Sequence, residues 1–545
     1  MKILYLAFTL LSVKFTLGQT PNWTGLKLFA GHATDYGGGI YIDKNNNYYL
    51  TGTLFSPSSL GIDSLREGCK AIFSPELGIE NGFLLRYDSN KILNLTIPLA
   101  PGTFGEPFVD DSGNIIVSGV FEYGASRDGF LRKYSSSGNI LWTKLLQSSS
   151  SGGQSDDVIT SLDIFNDGTM VISGFSYGNQ VSIFGSIING PSNFIAKLSA
   201  LGNVQWINNF SSTLGLGVYR VKFDKDGNTI IAGNERNIST NGVDAMIGKL
   251  YGATGNLVWK KNLISSGTYT PLVSSIGSYS NNYVFGGLFG GQIKIGDSTF
   301  NSIGNTDIVF LQTDNAGNLI WVKRAGSSGR DKISKLICDS TGITLATGGF
   351  SDGFQFQSTI LSAKGCTDVY ILSFNSNGSL LWTKSGGSNI PGHNDDLFYE
   401  EYGSAIAVDS KSQIQVVGTT IGAGNFGTLI FNAPEAAKQN AFWLTLGEKN
   451  NSDIINYPCT KIVDSSFFLS VFPNPFHKML SIKNSQNKML KYEIQLYNTL
   501  GQILHTKTDN TVVMTITEWK SFPSGIYFLK VKIGNYKQTF KIVKQ

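Results

Sequence analysis

The densest run of groups able to move a proton or hold a cation is Gly392-His393-Asn394-Asp395-Asp396, followed by Glu400 and Glu401. A His beside paired carboxylates suits general acid–base work, and carboxylates at this density also suit a hard cation. Yet Asp156-Asp157 and Asp331 hold the same place in other repeats of the chain. A polar feature shared by repeats reads first as turn architecture. Asp224-Lys225-Asp226-Gly227-Asn228 has half the donors of a calcium loop but lacks the distal Glu. Asp43–Asn47 and Asp110–Asn114 hold its place elsewhere, so a self-capped hairpin turn is expected. The four His (His32, His393, His477, His505) form neither His-x-His nor His-Glu-x-x-His. No Gly-x-Ser-x-Gly or phosphate-loop pattern stands out. The expectation is a non-catalytic protein with no cofactor and no resident metal.

The elements that would position these residues repeat. An apolar strand, a turn, then Gly-Asn and a strand ending in Trp recurs at Asp128–Trp142, Asn193–Trp206, Asp244–Trp259, Asp307–Trp321 and Asp368–Trp382. An eroded copy lies at Asn81–Asn94, and a truncated one, Asn440–Leu446, lacks its Trp strand. Between them runs a second phrase, a strand, an Asp-rich turn and a strand ending near Gly, in seven copies from Ile40–Gly52 to the one closing at Gly418. Four short alternating strands per unit, repeated, predict a seven-bladed β-propeller. The segment Asn22–Phe29 is a spare Trp-bearing strand suited to completing the last blade and closing the ring, which removes an open edge. The repeated Trp142, Trp206, Trp259, Trp321 and Trp382 read as packing between blades. Five long segments within the blades, among them Ser176–Ser192 and Ile421–Gln439, leave two readings open. They build one extended binding face, or they are extra hairpins that shield blade edges.

The phrases Asp128–Lys144 and Thr367–Lys384 resemble the bacterial propeller repeats called SBBP or Bacteroidetes-type repeats. The resemblance covers about residues 20–447 and implies a fold, with little about activity. The Gly-Asn-x-x-Trp phrase also resembles sialidase Asp-boxes, and Ala253–Trp259 looks like a quinoprotein dehydrogenase repeat, but neither the arginine triad of the first nor the cofactor-site cysteine pair of the second can be picked out.

The C-terminal segment differs in charge. Residues 468–545 hold eleven Lys against three acids, a net +8, which leaves −4 on the rest of a chain whose net charge is +4. Its lysines alternate with apolar residues, so they read as solvent faces of strands in a small Ig-like β-sandwich. Pro473-Asn474-Pro475, Tyr497 with Gly501, Gly525 with Tyr527, and the strand carrying Lys541 and Lys544 follow in order. This order closely resembles the type A C-terminal sorting domain of the type IX secretion system. The resemblance implies passage across the outer membrane with the secretion machinery as partner, then release or surface attachment.

Residues 1–18 read as a signal peptide: Lys2, an apolar run from Ile3 to Val13, and a cleavage site after Thr16-Leu17-Gly18, with Lys14 a departure. No stretch reaches membrane-spanning length. The expected organisation is signal peptide 1–18, propeller 19–447, linker 448–467 and sorting domain 468–545. The expected location is the outer-membrane surface or the medium, in a Bacteroidetes-type cell. The four cysteines, Cys69, Cys338, Cys366 and Cys459, allow three disulfide pairings. The expected role is a binding or adhesion module for an extracellular protein or glycan, with no nucleic-acid partner. The alternatives are a secreted polysaccharide-active hydrolase or lyase built on His393–Glu401, and a structural scaffold of a surface assembly.

Overall fold

The computed structural model describes residues 20–29, 34–55, 65–67, 70–73, 80–101, 105–123, 126–149, 156–211, 217–237, 239, 242–267, 269–390, 400–432, 439–448, 469–472, 479–484, 489–498, 502–517, 522–534 and 536–544. The signal-peptide segment, Cys69, Cys459, His393, Asp395, Asp396, Pro473-Asn474-Pro475 and Gly501 lie outside them. The chain divides into two units, Met1–Cys459 and Thr460–Gln545.

The first unit is an all-β propeller. Among the described residues, seven antiparallel sheets each hold a four-stranded blade. Taken in chain order, the innermost strands are Asp35–Ile42 (blade 1), Phe108–Val109 (blade 2), Asp157–Ile164 (blade 3), Gly217–Phe223 (blade 4), Leu272–Tyr279 (blade 5), Lys332–Cys338 (blade 6) and Tyr402–Val408 (blade 7). Burial grades outward from the middle of each blade. Third strands such as Asp307–Thr313 and Asp368–Phe374 are buried at every residue, because sheets press on both their faces. Outer strands such as Leu257–Ser265 are mostly exposed. One core cluster joins Ile230 and Ile247 of blade 4 to Phe285, Val309 and Leu311 of blade 5, so apolar faces are buried between blades rather than within one.

The last blade takes its outer strand from the other end of the unit. Asn22–Phe29 pairs antiparallel with Gln439–Gly447, with Leu26 opposite Leu444 and Trp23 opposite Leu446.

The long inserted segments lie on blade edges. The hairpin Gln180–Ile183/Ser186–Asn189 belongs to blade 3 but pairs with the outer strand Ile140–Ser149 of blade 2. Hairpins of blades 5, 6 and 7 reach back in the same way to blades 4, 5 and 6. The hairpin of blade 1 reaches the closing strand of blade 7. Five of seven outer edges are thereby covered. Blades 1 and 3, whose sheets hold four strands, end at Leu93–Pro101 and Val204–Ser211. Of the two readings, edge-shielding hairpins describe these segments.

The second unit has a three-stranded sheet (Leu469–Phe472, Leu480–Asn484, Val513–Ile516) and a four-stranded one (Leu490–Tyr497, Ile503–Thr511, Gly525–Ile533, Tyr536–Lys544). Leu480, Ile482 and Met514 of the first sheet share one core with Tyr492, Ile494, Leu529, Val531 and Ile542 of the second. Alternate residues of strands such as Leu490–Tyr497 and Gly525–Ile533 build that core, as a sandwich requires.

Candidate binding channel

All seven innermost strands line one central cavity of about 1520 Å³. That exceeds the roughly 300–1,000 Å³ of most small-molecule pockets. Six of the strands carry a β-bulge near their start, for example between Ile159 and Ser161, Val218 and Arg220, and Ile333 and Lys335. A bulge bends the strand and re-aims the side chain that follows it. The next position in blades 3, 4, 5, 6 and 7 is Ser161, Arg220, Ser275, Lys335 and Ala405; Gly39, within the bulge of blade 1, and Glu106 of blade 2 line the cavity with them.

Three of these seven are charged. Glu106 and Lys335 form an ion pair at 2.5 Å. They come from blades 2 and 6, which are not neighbours, so the pair crosses the channel. Blades 7 and 1 lie between them and offer Ala405 and Gly39. A Cβ at Gly39 would stand 2.5 Å from the Glu106 Cα, so glycine there gives the acid its room. Arg220 lies along the opposite wall. Its Nε donates to the Ser274 carbonyl at 2.6 Å, and its Nη1 to the carbonyls of Thr160 at 3.1 Å and Tyr219 at 2.7 Å. Burial pulls the guanidinium pKa down and the field of Glu106 raises it; arginine stays charged through both. Below, Lys222 stands 3.9 Å from Asp163. The Asp163 carboxylate also accepts the Phe223 N–H at 2.7 Å, and Ser275 Oγ accepts the Leu336 N–H at 2.9 Å. Side chains thus join innermost strands of different blades.

The acids singled out in the sequence are placed elsewhere. Glu400 pairs with Lys332 at 3.5 Å. Glu401 is buried and accepts the N–H of Ser388 (2.8 Å), the Ser388 hydroxyl (2.9 Å), the N–H of Ile421 (2.8 Å) and the Thr420 hydroxyl. Burial pushes it from its ordinary 4.5 up to about 7, against those hydrogen bonds and with Asp368 adding to the rise. Asp331 holds the equivalent junction one blade earlier. It accepts from Ser327 and Ser351, and burial lifts it to about 7. Among the described residues no three His, Cys, Asp or Glu converge as metal ligands.

The Asp224 turn spends its carboxylate on itself and on its neighbours. Oδ1 accepts the N–H of Asp226 and Asn228, and Oδ2 pairs with Lys249 at 2.8 Å. Burial pushes this acid up, and the bonds from Lys249 and Asn228 outweigh it and hold it low.

Each repeated Trp meets the next blade. Trp206 donates to the Gly252 carbonyl at 3.0 Å, Trp259 to Asn315 at 3.0 Å and Trp321 to Ser376 at 2.9 Å. The glycines of those turns, Gly255, Gly317 and Gly378, have φ of 75°, 82° and 73°. A Cβ on them would lie 2.7, 2.7 and 2.9 Å from the indole. Trp142 sits beneath Gly202 in the same way, and Trp382 packs on the core of blade 7. The Gly and Trp of one phrase are therefore not partners; the Gly of each phrase covers the Trp of the one before.

In the second unit, Tyr527 donates to the Pro523 carbonyl at 2.6 Å, Tyr497 bonds Gln495 at 2.7 Å and Lys544 reaches the Phe522 carbonyl. Gly525 opens its strand opposite Lys544, and Lys541 pairs with Phe528. Residues 470–545 match the family described as secretion system C-terminal sorting domain. The second unit is a secretion-system sorting domain. The sorting domain marks the chain for export to the cell surface or the medium. No curated protein matches the chain. Among solved structures, the Dos1 propeller aligns with TM-score 0.40 and 10% identity over 79% of this chain and 98% of that one. Extracellular domains 1-2 of Drosophila Semaphorin 1b give 0.37 and 8% over 79% and 88%. The quinohemoprotein alcohol dehydrogenase from Comamonas testosteroni gives 0.32 and 11% over 78% and 77%. These likenesses are weak, and the propeller rests on the strand order itself.

Proposed function

We propose that this chain is a non-catalytic binding module of the type IX secretion route. It is delivered to the periplasm by residues 1–18 and across the outer membrane by its sorting domain, and presents its ring to extracellular ligands. The sorting-domain match over residues 470–545 carries the reading. The propeller supports it: the acids Glu401 and Asp331 are bonded into the frame, while the central cavity is roomy and polar. Such a scaffold suits recognition by a rigid surface.

The test is localisation of full-length chain and of a chain ending at Leu446, by surface proteolysis and fractionation in the native host. Full-length protein is expected outside and the truncated form in the periplasm. Both forms outside, or neither, would remove the sorting reading. The binding role is tested apart from this, by a glycan and protein panel against full-length chain; an empty panel counts against it.

A further inference from the structure

We infer that the channel ring formed by Glu106, Arg220 and Lys335 is an anion site that takes the carboxylate of an acidic saccharide. The inference rests on the binding-module reading and names its site and ligand class.

The charges at this level do not cancel. Two cations face one carboxylate, and Glu106 is committed to Lys335. Arg220 has no carboxylate partner: Nε and Nη1 are held by three backbone carbonyls, and among the described residues Nη2 makes no hydrogen bond. Three carbonyls fix the plane of the guanidinium, so little rotamer entropy is lost when an anion arrives. A rigidly held cation whose one nearby carboxylate is committed to a second cation gains from an anion supplied by a ligand.

The surroundings suit a hydroxylated ligand. Ser334 and Ser404 belong to the cavity wall at the bulges of blades 6 and 7. Tyr41 and Phe108 line the cavity with rings 5.8 Å apart, offering flat apolar surface beside the polar ring. Of the other acids lining the cavity, Asp111 pairs with Lys44 at 3.2 Å, Asp110 with Lys133 at 2.8 Å and Asp163 with Lys222 at 3.9 Å, and Asp167 accepts the Thr169 N–H at 2.8 Å. They leave the ring as the cationic level of the cavity.

The test is calorimetric titration of full-length chain with trigalacturonate and with uncharged maltotriose. Trigalacturonate is expected to bind at least about tenfold tighter, the scale of one charged hydrogen bond. Arg220→Gln is expected to lose about that factor. Glu106→Gln frees Lys335 and is expected to tighten binding, an effect that damaged folding would not produce. Equal affinity for both sugars, or an unchanged acidic-sugar affinity in both variants, overturns the inference. So does no binding of trigalacturonate. If another ligand of the panel binds in that case and Arg220→Gln leaves it unchanged, the binding reading survives and only this site falls. If nothing binds, both fall.

Discussion

The propeller holds Glu401 and Asp331 at junctions between blades and Glu106, Arg220 and Lys335 on the wall of the channel, and uses the two sets differently. At the junctions, Glu401 and Asp331 accept three or more hydrogen bonds each, from the outer strand of one blade and from the next blade. Their bonding capacity goes to holding the blades in register. In the channel, Arg220 is clamped by carbonyls but keeps an unbonded amino group, and Lys335 has one partner that crosses open space. Full satisfaction marks a structural group; rigid placement with spare capacity marks a recognition group.

The comparison sharpens under mutation. The largest effect expected is from Glu401→Leu, which strands the N–H groups of Ser388 and Ile421; about 2–4 kcal/mol should be lost in urea unfolding, with little change in ligand affinity. Gly387→Ala should come next. Its Cβ would meet Asp368 at 2.7 Å and Glu401 at 2.9 Å, an overpacking worth about 1–3 kcal/mol by the same measurement. The pH dependence should follow the junction acids. Between the ordinary carboxylate range and about 7 the folded state binds protons that the unfolded chain has lost. Stability is therefore fullest below that range and falls as pH rises through about 7. Thermal melts from pH 5 to 8 should show the fall, and Glu401→Gln with Asp331→Asn should reduce it, Asp368, raised by burial to about 6, supplying part of what remains. The smallest stability change is expected from Glu106→Gln. Its half-buried pair contributes about 1 kcal/mol or less, so a large loss there would place the channel charges in the frame as well.

The architecture was legible in sequence because it repeats. Seven Asp-turn phrases and the alternation around them imply blades, and the alternation of the C-terminal segment implies a sandwich. The channel ring was not legible. Glu106, Arg220 and Lys335 stand more than a hundred residues apart in strands with nothing else to mark them. The one available signal was the place of Arg220 and Lys335 just after a bulge, where other copies carry Ser161, Ser275 or Ala405. Glu400 and Glu401 are crowded in sequence, yet crowding says nothing about which oxygens are already spoken for. The inserted segments were ambiguous for a related reason. A short hairpin reads the same whether it faces solvent or pairs with a neighbouring blade.

The closing pair of strands also sets a timetable. Asn22–Phe29 emerges first, but its partner Gln439–Gly447 is completed only after six blades have been made. The sorting domain follows later still, at residues 470–545. A chain interrupted anywhere before Gly447 is both an open ring and a package without an address. With the sorting segment written downstream of the last clasp, a chain that carries it also carries every strand of the ring.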